Sequence, residues 1–244
     1  GIDGTRLECC YDPATGPRPD TYHPETAMTL KLYSRYRNSA GQRVRIALNL
    51  KGVDYDYVAV EEMRSDAYRK INPQGLLPAL DIGGRIVGQS TAIIEWLEET
   101  YPEPSLFPAD PIDRMTARSI AQFIACEIHP IHNHRVRDHL IEAEGWSEEK
   151  TMEWYAHWID KGLTTVETML ARRKKQTAFC VGDAPTIADI YLVPVLGNAR
   201  WFGFPLDAYP RVLAADAACA ELDAFRLAMP EAQPDFPGYE AERT

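Results

Sequence analysis

The sequence contains no apolar run long enough to cross a bilayer, which argues against a membrane-spanning helix. Its basic clusters are short: Arg172-Arg173-Lys174-Lys175 and the Arg35-Tyr36-Arg37 stretch. With 26 Lys and Arg against 36 Asp and Glu, its formal net charge is −10, so nucleic acid is not expected as a partner. No secretory signal is visible. Its five cysteines, at positions 9, 10, 126, 180 and 219, are odd in number and irregular in spacing. That argues against a disulfide framework and fits a reducing cytoplasm. Phosphate loops, dinucleotide glycine patterns and a Ser-His-Asp order are also missing. What is present is a globular composition: 244 residues, 45% hydrophobic and 25% charged, enough for one large domain or two small ones.

Residues 1–27 carry almost no aliphatic side chains and concentrate proline and glycine between Pro13 and Pro24. They cannot bury a core, and are expected to be a disordered extension, native or introduced for expression, with Met28 as a natural start. Cys9 and Cys10 lie there and carry no chemistry in this reading.

The rest of the chain is organised around Leu30 to Leu50. Leu30 and Leu32 alternate with polar residues, as in a short strand. Asn38-Ser39-Ala40-Gly41 is a turn, and Val44, Ile46, Ala47, Leu48 and Leu50 then recur at near-helical spacing, which predicts an amphipathic helix. Asn38 and Ser39 are both good N-cap types. A strand feeding a helix this way points free backbone N–H groups and the positive end of the helix dipole at one spot. A phosphate, carboxylate or thiolate would be stabilised there. An ordinary strand-to-helix turn has the same pattern, so this stretch alone defines no site.

Tyr55–Val60 reads as a second strand, Asp66–Ile71 as a short helix, Leu77–Leu80 and Arg85–Val87 as two more strands across a Gly83-Gly84 hairpin. Ser90 is placed to cap a helix through Thr100, with Ile93, Ile94, Trp96 and Leu97 as its apolar face. Alternating elements in so short a segment predict a small α/β layer domain over 28–103. The proline-rich stretch up to Pro111 is a linker, taken as 104–111. Long helical patterns then run from Ile112 to about Leu140, Glu148 to about Arg172 and Thr186 to about Phe202, with two shorter helices after Pro210. Residues 112–244 are therefore expected to be all-helical.

Three constellations bear on chemistry. Asn72 to Pro78 is a turn followed by a proline at a strand start, which leaves the Leu77 backbone for an external partner; a cis bond would fix that edge. Gln89-Ser90 at a helix start is a second anion site, suited to a carboxylate, or a routine cap. His129, His132, His134 and His139 crowd one segment, but Pro130 disturbs it and no Cys or carboxylate has partner spacing, so no metal site is assigned. Asn133 and Arg135 are expected to line a polar cleft there, with whichever histidine points inward. Trp154, Tyr155 and Trp158 read as packing, and Thr186-Ile187-Ala188-Asp189 as a structural capping box.

These residues resemble the zeta class of glutathione transferases, the maleylacetoacetate and maleylpyruvate isomerases. The resemblance is carried by RVRIALNLKGVDYDYVAV at 43–60, INPQGLLPAL at 71–80, GQSTAIIEWLEETYPEP at 88–104, IACEIHPIHNHRV at 124–136, FCVGDAPTIADIYLVPVLGNAR at 179–200 and LDAFRLAMPEAQPD at 222–235. It implies a thioredoxin-like N-terminal α/β domain binding glutathione, an all-α C-terminal domain binding the second substrate, and a cytoplasmic homodimer. It further implies that Leu77, Pro78, Gln89, Ser90, Asn133 and His129 hold glutathione, and that Arg200, Trp201 and Arg135 meet the substrate.

Two departures stand out. The family's turn reads Ser-Ser-Cys or Ser-Gly-Thr where this chain has Asn38, Ser39 and Ala40. Asn38, whose amide can donate to a thiolate, is therefore the first choice for the catalytic donor, with Ser39 second and Arg37 beside them. The family's Ala-Arg-Arg-Phe is here Ala199-Arg200-Trp201-Phe202, which replaces a carboxylate-binding arginine with an aromatic surface. The implied activity is glutathione-dependent cis–trans isomerisation. Conjugation, dehalogenation or ether cleavage of an aromatic electrophile, which Trp201 would suit, is the alternative, followed by a non-catalytic binding role.

Overall fold

A computed structural model describes residues 29–239. The extension 1–27, with Cys9 and Cys10, lies outside them. The chain begins with strand β1 (Leu30–Ser34), helix α1 (Ser39–Lys51), strand β2 (Tyr55–Ala59) and helix α2 (Asp66–Ile71). Strands β3 (Ala79–Ile82) and β4 (Arg85–Gly88) and helix α3 (Ser90–Thr100) complete an α/β unit. The sheet order is β2-β1-β3-β4; β1 and β2 run parallel, and the other two pairs antiparallel. Leu32 pairs with Tyr57 on one side and Leu80 on the other, so its side chain sits at the sheet's centre, fully buried.

Helix α1 departs from the amphipathic expectation. Every residue from Gly41 to Leu48 is buried, Arg43 and Arg45 included. The reason is that α1 is covered on both sides, by the sheet and by helices of the second half. Arg45 shows how a charge is accommodated there: its guanidinium donates to the carbonyls of Ala228, Arg35 and Tyr36 and to Ser34 Oγ, at 3.0–3.3 Å. Helix α1 ends where Gly52 adopts φ 63°, a left-handed value open to glycine, and returns its N–H to Asn49 and Leu48 carbonyls.

The second half holds helices α4 (Pro111–Phe123), α5 (His129–His132), α6 (His134–Glu142), α7 (Glu148–Ala171), α8 (Ile187–Trp201), α9 (Pro210–Ala220) and α10 (Asp223–Arg226). The expected single helix from Ile112 to Leu140 is thus broken. Pro130 has no N–H to give and its ring crowds the preceding turn. The chain widens into a π-helical segment at Ile124–Ile128, where the His129 N–H reaches the Ile124 carbonyl. It then stops at Asn133, whose Oδ1 recaps α6 through the Arg135 and Val136 N–H groups. Gly162 of α7 lets the widened segment approach; a Cβ there would meet Ile128 at 2.6 Å.

The Thr186–Asp189 capping box is present. Buried Asp189 accepts from the Cys180 and Thr186 N–H groups at 2.8 Å and from Thr186 Oγ1 at 3.0 Å, tying the preceding loop to α8. One core runs through both halves, from Leu32 and Val44 to Ile120, Ile190 and Phe225. The segment after α10 returns to the sheet: Asp235 accepts the Tyr36 N–H at 2.9 Å and the Tyr57 hydroxyl at 2.8 Å.

Candidate active site

The start of α1, the approach to β3, the start of α3 and the broken α5–α6 region converge on a cleft of about 500 Å³. Arg35, Arg37, Arg43, Arg135 and Arg137 line it, with His129, His132 and His134. Among the described residues no aspartate or glutamate does. An acidic chain has therefore gathered cationic side chains at one place, which sets up a local field for anions.

Asn38, not Ser39, caps α1. Its φ is −140° and its Oδ1 accepts the Gly41 N–H at 2.5 Å. Capping uses the oxygen of the amide and leaves its NH2 as a donor. Ser39 is the first helical residue, and its hydroxyl makes a long contact of 3.4 Å to the Pro194 carbonyl. Ala40 lines the cleft without a donor. Ser90 likewise does not cap its helix. Gln89 stands at that position with φ 71°, a left-handed conformation unusual for a side chain of its size, and gives no side-chain cap bond. Its Nε2 donates to Gln74 Oε1 at 2.8 Å, while Ser90 is buried as the first residue of α3. The open N-terminus of α3 thus faces the cleft with its N–H groups uncapped by Gln89.

Between them lies the Leu77–Pro78 bond, which is cis. Its approach is held by Tyr68 Oη and Asn72 Nδ2, both donating to the Leu76 carbonyl at 2.9 and 2.8 Å. Leu77 packs with Val60 and Tyr68 in a small separate cluster, so its backbone position is set from beneath.

The opposite wall is buried and polar. Arg43, fully buried, rests its guanidinium 4.4 Å from the Tyr191 ring centroid, and its Nε and Nη2 make no hydrogen bond among the described residues. Burial pushes it down to about 10. The same holds for His129 Nδ1 and both ring nitrogens of His132. Burial, followed by the Arg43 charge, holds His129 well below the ordinary histidine value. Burial takes His132 from 6.5 to about 4. Both rings are neutral at pH 7. Arg137, in the first turn of α6, lies 4.4 Å from the Phe202 centroid, and Tyr155 Oη donates to Asn198 Oδ1 at 2.9 Å at the cleft's edge.

The cleft brings together Arg37, Asn38, Ser39, Leu77, Pro78, Gln89, Ser90, His129, Asn133 and Arg135. Arg200 and Trp201 do not line it. Arg200 is turned to α9, where it pairs with Asp216. Trp201 is 53% exposed and meets the site through Arg37. The reason is rotation along α8: Asn198 faces the cleft, and two or three residues later the helix presents another side. Sequence reasoning missed Arg43, Arg137 and Asn198. Tyr155 is core, as expected, but Trp154 is half-buried and donates to the Ile131 carbonyl at 3.0 Å, fixing the turn before Asn133. Among the described residues no group of three or more His, Cys, Asp or Glu is arranged to hold a metal ion, and no helix is long and apolar enough to cross a membrane.

Residues 32–105 match the glutathione S-transferase N-terminal domain, and residues 152–214 match its C-terminal domain. A maleylpyruvate isomerase of a Ralstonia species is 49% identical over 210 residues, covering 84% of this chain and 99% of its own. The chain belongs to the zeta-class glutathione S-transferase family. A maleylacetoacetate isomerase of Pseudomonas aeruginosa is 44% identical over 215 residues, covering 85% of this chain and 99% of its own. Among solved zeta-class structures, a holo maleylpyruvate isomerase superposes with a TM-score of 0.83 at 48% identity, covering 85% of this chain and all of its own. A maleylacetoacetate isomerase from Anaeromyxobacter dehalogenans, solved with glutathione in its active site, gives 0.77 at 40% identity, over 86% of this chain and 99% of its own. This zeta-class chain is an enzyme, with the thioredoxin-like and helical halves of its family.

Proposed function

We propose that the protein is a glutathione-dependent cis–trans isomerase acting on a small dicarboxylic acid of the maleylpyruvate or maleylacetoacetate type, in aromatic compound catabolism. The observation that carries this is the cleft itself: among the described residues, five arginines and no carboxylate line it, in a chain of net charge −10. The residues present suit glutathione, a tripeptide with two carboxylates and a thiol. The open N-terminus of α3 with Gln89 and Ser90 would hold one carboxylate. The Leu77 backbone would pair with the peptide's main chain, Pro78 setting the edge, as in strand addition. His129 and Asn133 would close over the other side. When bound, glutathione supplies a thiolate, which can add to an activated double bond, allow rotation and leave.

The chain's own part is electrostatic. The N–H groups and dipole at the start of α1 stabilise negative charge near Asn38 and Ser39. The Asn38 amide NH2 adds a side-chain donor, and Ser39 a second. Arg37 and Arg135 would face the anionic substrate, Arg135 steadying the charge that develops on its carbonyl oxygen. Neutral His129 and His132 add no competing charge to the wall.

The division into 28–103, 104–111 and 112–244 belongs to this reading, as does a cytoplasmic homodimer. Exposed Ile112 and Met115 on α4 and Val87 on β4 support association. Light scattering at the monomer mass across micromolar concentrations would remove the dimer. For the activity, the test is a panel with glutathione: maleylpyruvate and maleylacetone against aryl halides and aryl ethers. Isomerisation of the first pair is expected; turnover of the aromatic set alone would replace this reading with the transferase one.

A further inference from the structure

We propose that Arg37 and Arg137 form a paired guanidinium clamp for one carboxylate of the substrate, with the Phe202 ring setting their spacing. The inference rests on the reading of the cleft as a site for a carboxylate substrate beside glutathione. Arg37 precedes α1 and Arg137 lies on α6, 100 positions on, yet both guanidiniums lie over one ring. Their Cζ atoms are 5.2 and 4.4 Å from the Phe202 centroid. Arg37 is also 4.2 Å from the Trp201 centroid, and Arg137 is 5.7 Å from that of Tyr155. Both line the cleft.

Among the described residues neither cation has a carboxylate partner. Asp138, the nearest in sequence to Arg137, is paired with Arg64. Arg137 Nη1 makes only a 4.0 Å contact to Met152 sulfur, and its buried Nε makes no hydrogen bond. The two cations feel each other: after burial, the Arg137 charge is the largest influence lowering Arg37. Like charges held together without a counterion are unfavourable. Three aromatic faces hold them there nonetheless, and cation–π contacts lessen that cost without occupying the in-plane N–H donors. Those donors suit a planar carboxylate, which takes two parallel bonds from a guanidinium fork. Arg137 is thus a specificity residue that touches substrate, on a helix other than the one that bears Arg200 and Trp201.

The test uses succinate, a dicarboxylate with no double bond to react, titrated calorimetrically into the full-length protein saturated with glutathione. Arg137→Leu is expected to weaken succinate about ten- to a hundredfold, as for loss of a charge-assisted pair, and to leave glutathione affinity unchanged. Arg137→Gln, which keeps a polar hydrogen-bonding end but not the charge, should lose a similar factor and serves if the leucine variant does not fold. Succinamide should bind neither protein. In turnover, the KM for maleylpyruvate should rise while that for glutathione stays. Undiminished succinate binding in a folded variant overturns the clamp, and so does a loss confined to glutathione. If the parent protein isomerises nothing, the isomerase reading falls, and the succinate titration still decides the clamp by the same two criteria.

Discussion

The guanidinium of Arg37 lies 4.2 Å from the centre of the Trp201 indole, and Trp201 is 53% exposed. An arginine at position 201 would set a second positive charge against Arg37; the tryptophan instead holds it by its face. An exposed cation–π contact contributes about 0.5–1 kcal/mol. Trp201→Ala should therefore raise the KM for the dicarboxylate about two- to fivefold, with glutathione binding unchanged. Steady-state kinetics with each substrate varied in turn would show it.

Asn38 serves both as helix cap and, in the proposed mechanism, as thiolate donor, and two variants separate these roles. Asn38→Ala should lose about 0.5–2 kcal/mol of stability with the cap. It should also raise the pKa of bound glutathione thiol by about one to two units, from the loss of one charge-assisted donor. Asn38→Asp keeps the cap oxygen but removes the NH2, so stability should hold while the thiol pKa rises. Ultraviolet titration of the thiolate and urea denaturation measure the two effects. A thiol pKa that moves only in Ser39→Ala would transfer the donor role to Ser39.

At the other helix start, the double substitution Gln89→Ala, Ser90→Ala should weaken glutathione by about 1–3 kcal/mol, roughly five- to 150-fold. Calorimetric affinity equal to that of the parent would refute the placement of a glutathione carboxylate there.

His132 gives the protein a pH dependence. Folding lowers it from 6.5 to about 4 through burial, so the native state binds fewer protons than the unfolded chain between those values. Its contribution is fully present above pH 6.5 and is lost as pH falls towards 4, on the order of 3 kcal/mol. His129 shifts the same way. Urea midpoints should drop between pH 7 and pH 4.5, and His132→Asn should drop less.

Much of this was legible in the sequence because local chemistry fixed it. The β1-turn-α1 unit, the Gly83-Gly84 hairpin and the Thr186 capping box each rest on side chains within a few residues. Gln89, Ser90, Leu77 and Asn133 lie on matching segments of the family and come together in one cleft. What sequence did not reveal depends on contacts from far along the chain. Arg43 and Arg45 fall within an amphipathic helix pattern, and nothing local says that Ala228, after α10, will take the Arg45 guanidinium or that Tyr191 of α8 will cover Arg43. Arg137 carries no local signal: its place at the cleft depends on the helix break at Asn133 and on Phe202 far along the chain. Arg200 lies off the cleft because it stands two residues beyond Asn198, about 200° round the helix.

Asp235 draws the Tyr36 N–H and the Tyr57 hydroxyl together from 199 and 178 positions away. A ribosome releases Tyr36 and the whole sheet long before it reaches Asp235, and domains take shape in that order as they emerge. The sheet can assemble early, but the loop carrying Tyr36, Arg37 and Asn38 receives this tether only once a segment 199 positions further on has been made. During synthesis the turn that lines the cleft therefore waits on a segment made later than α1 to α10.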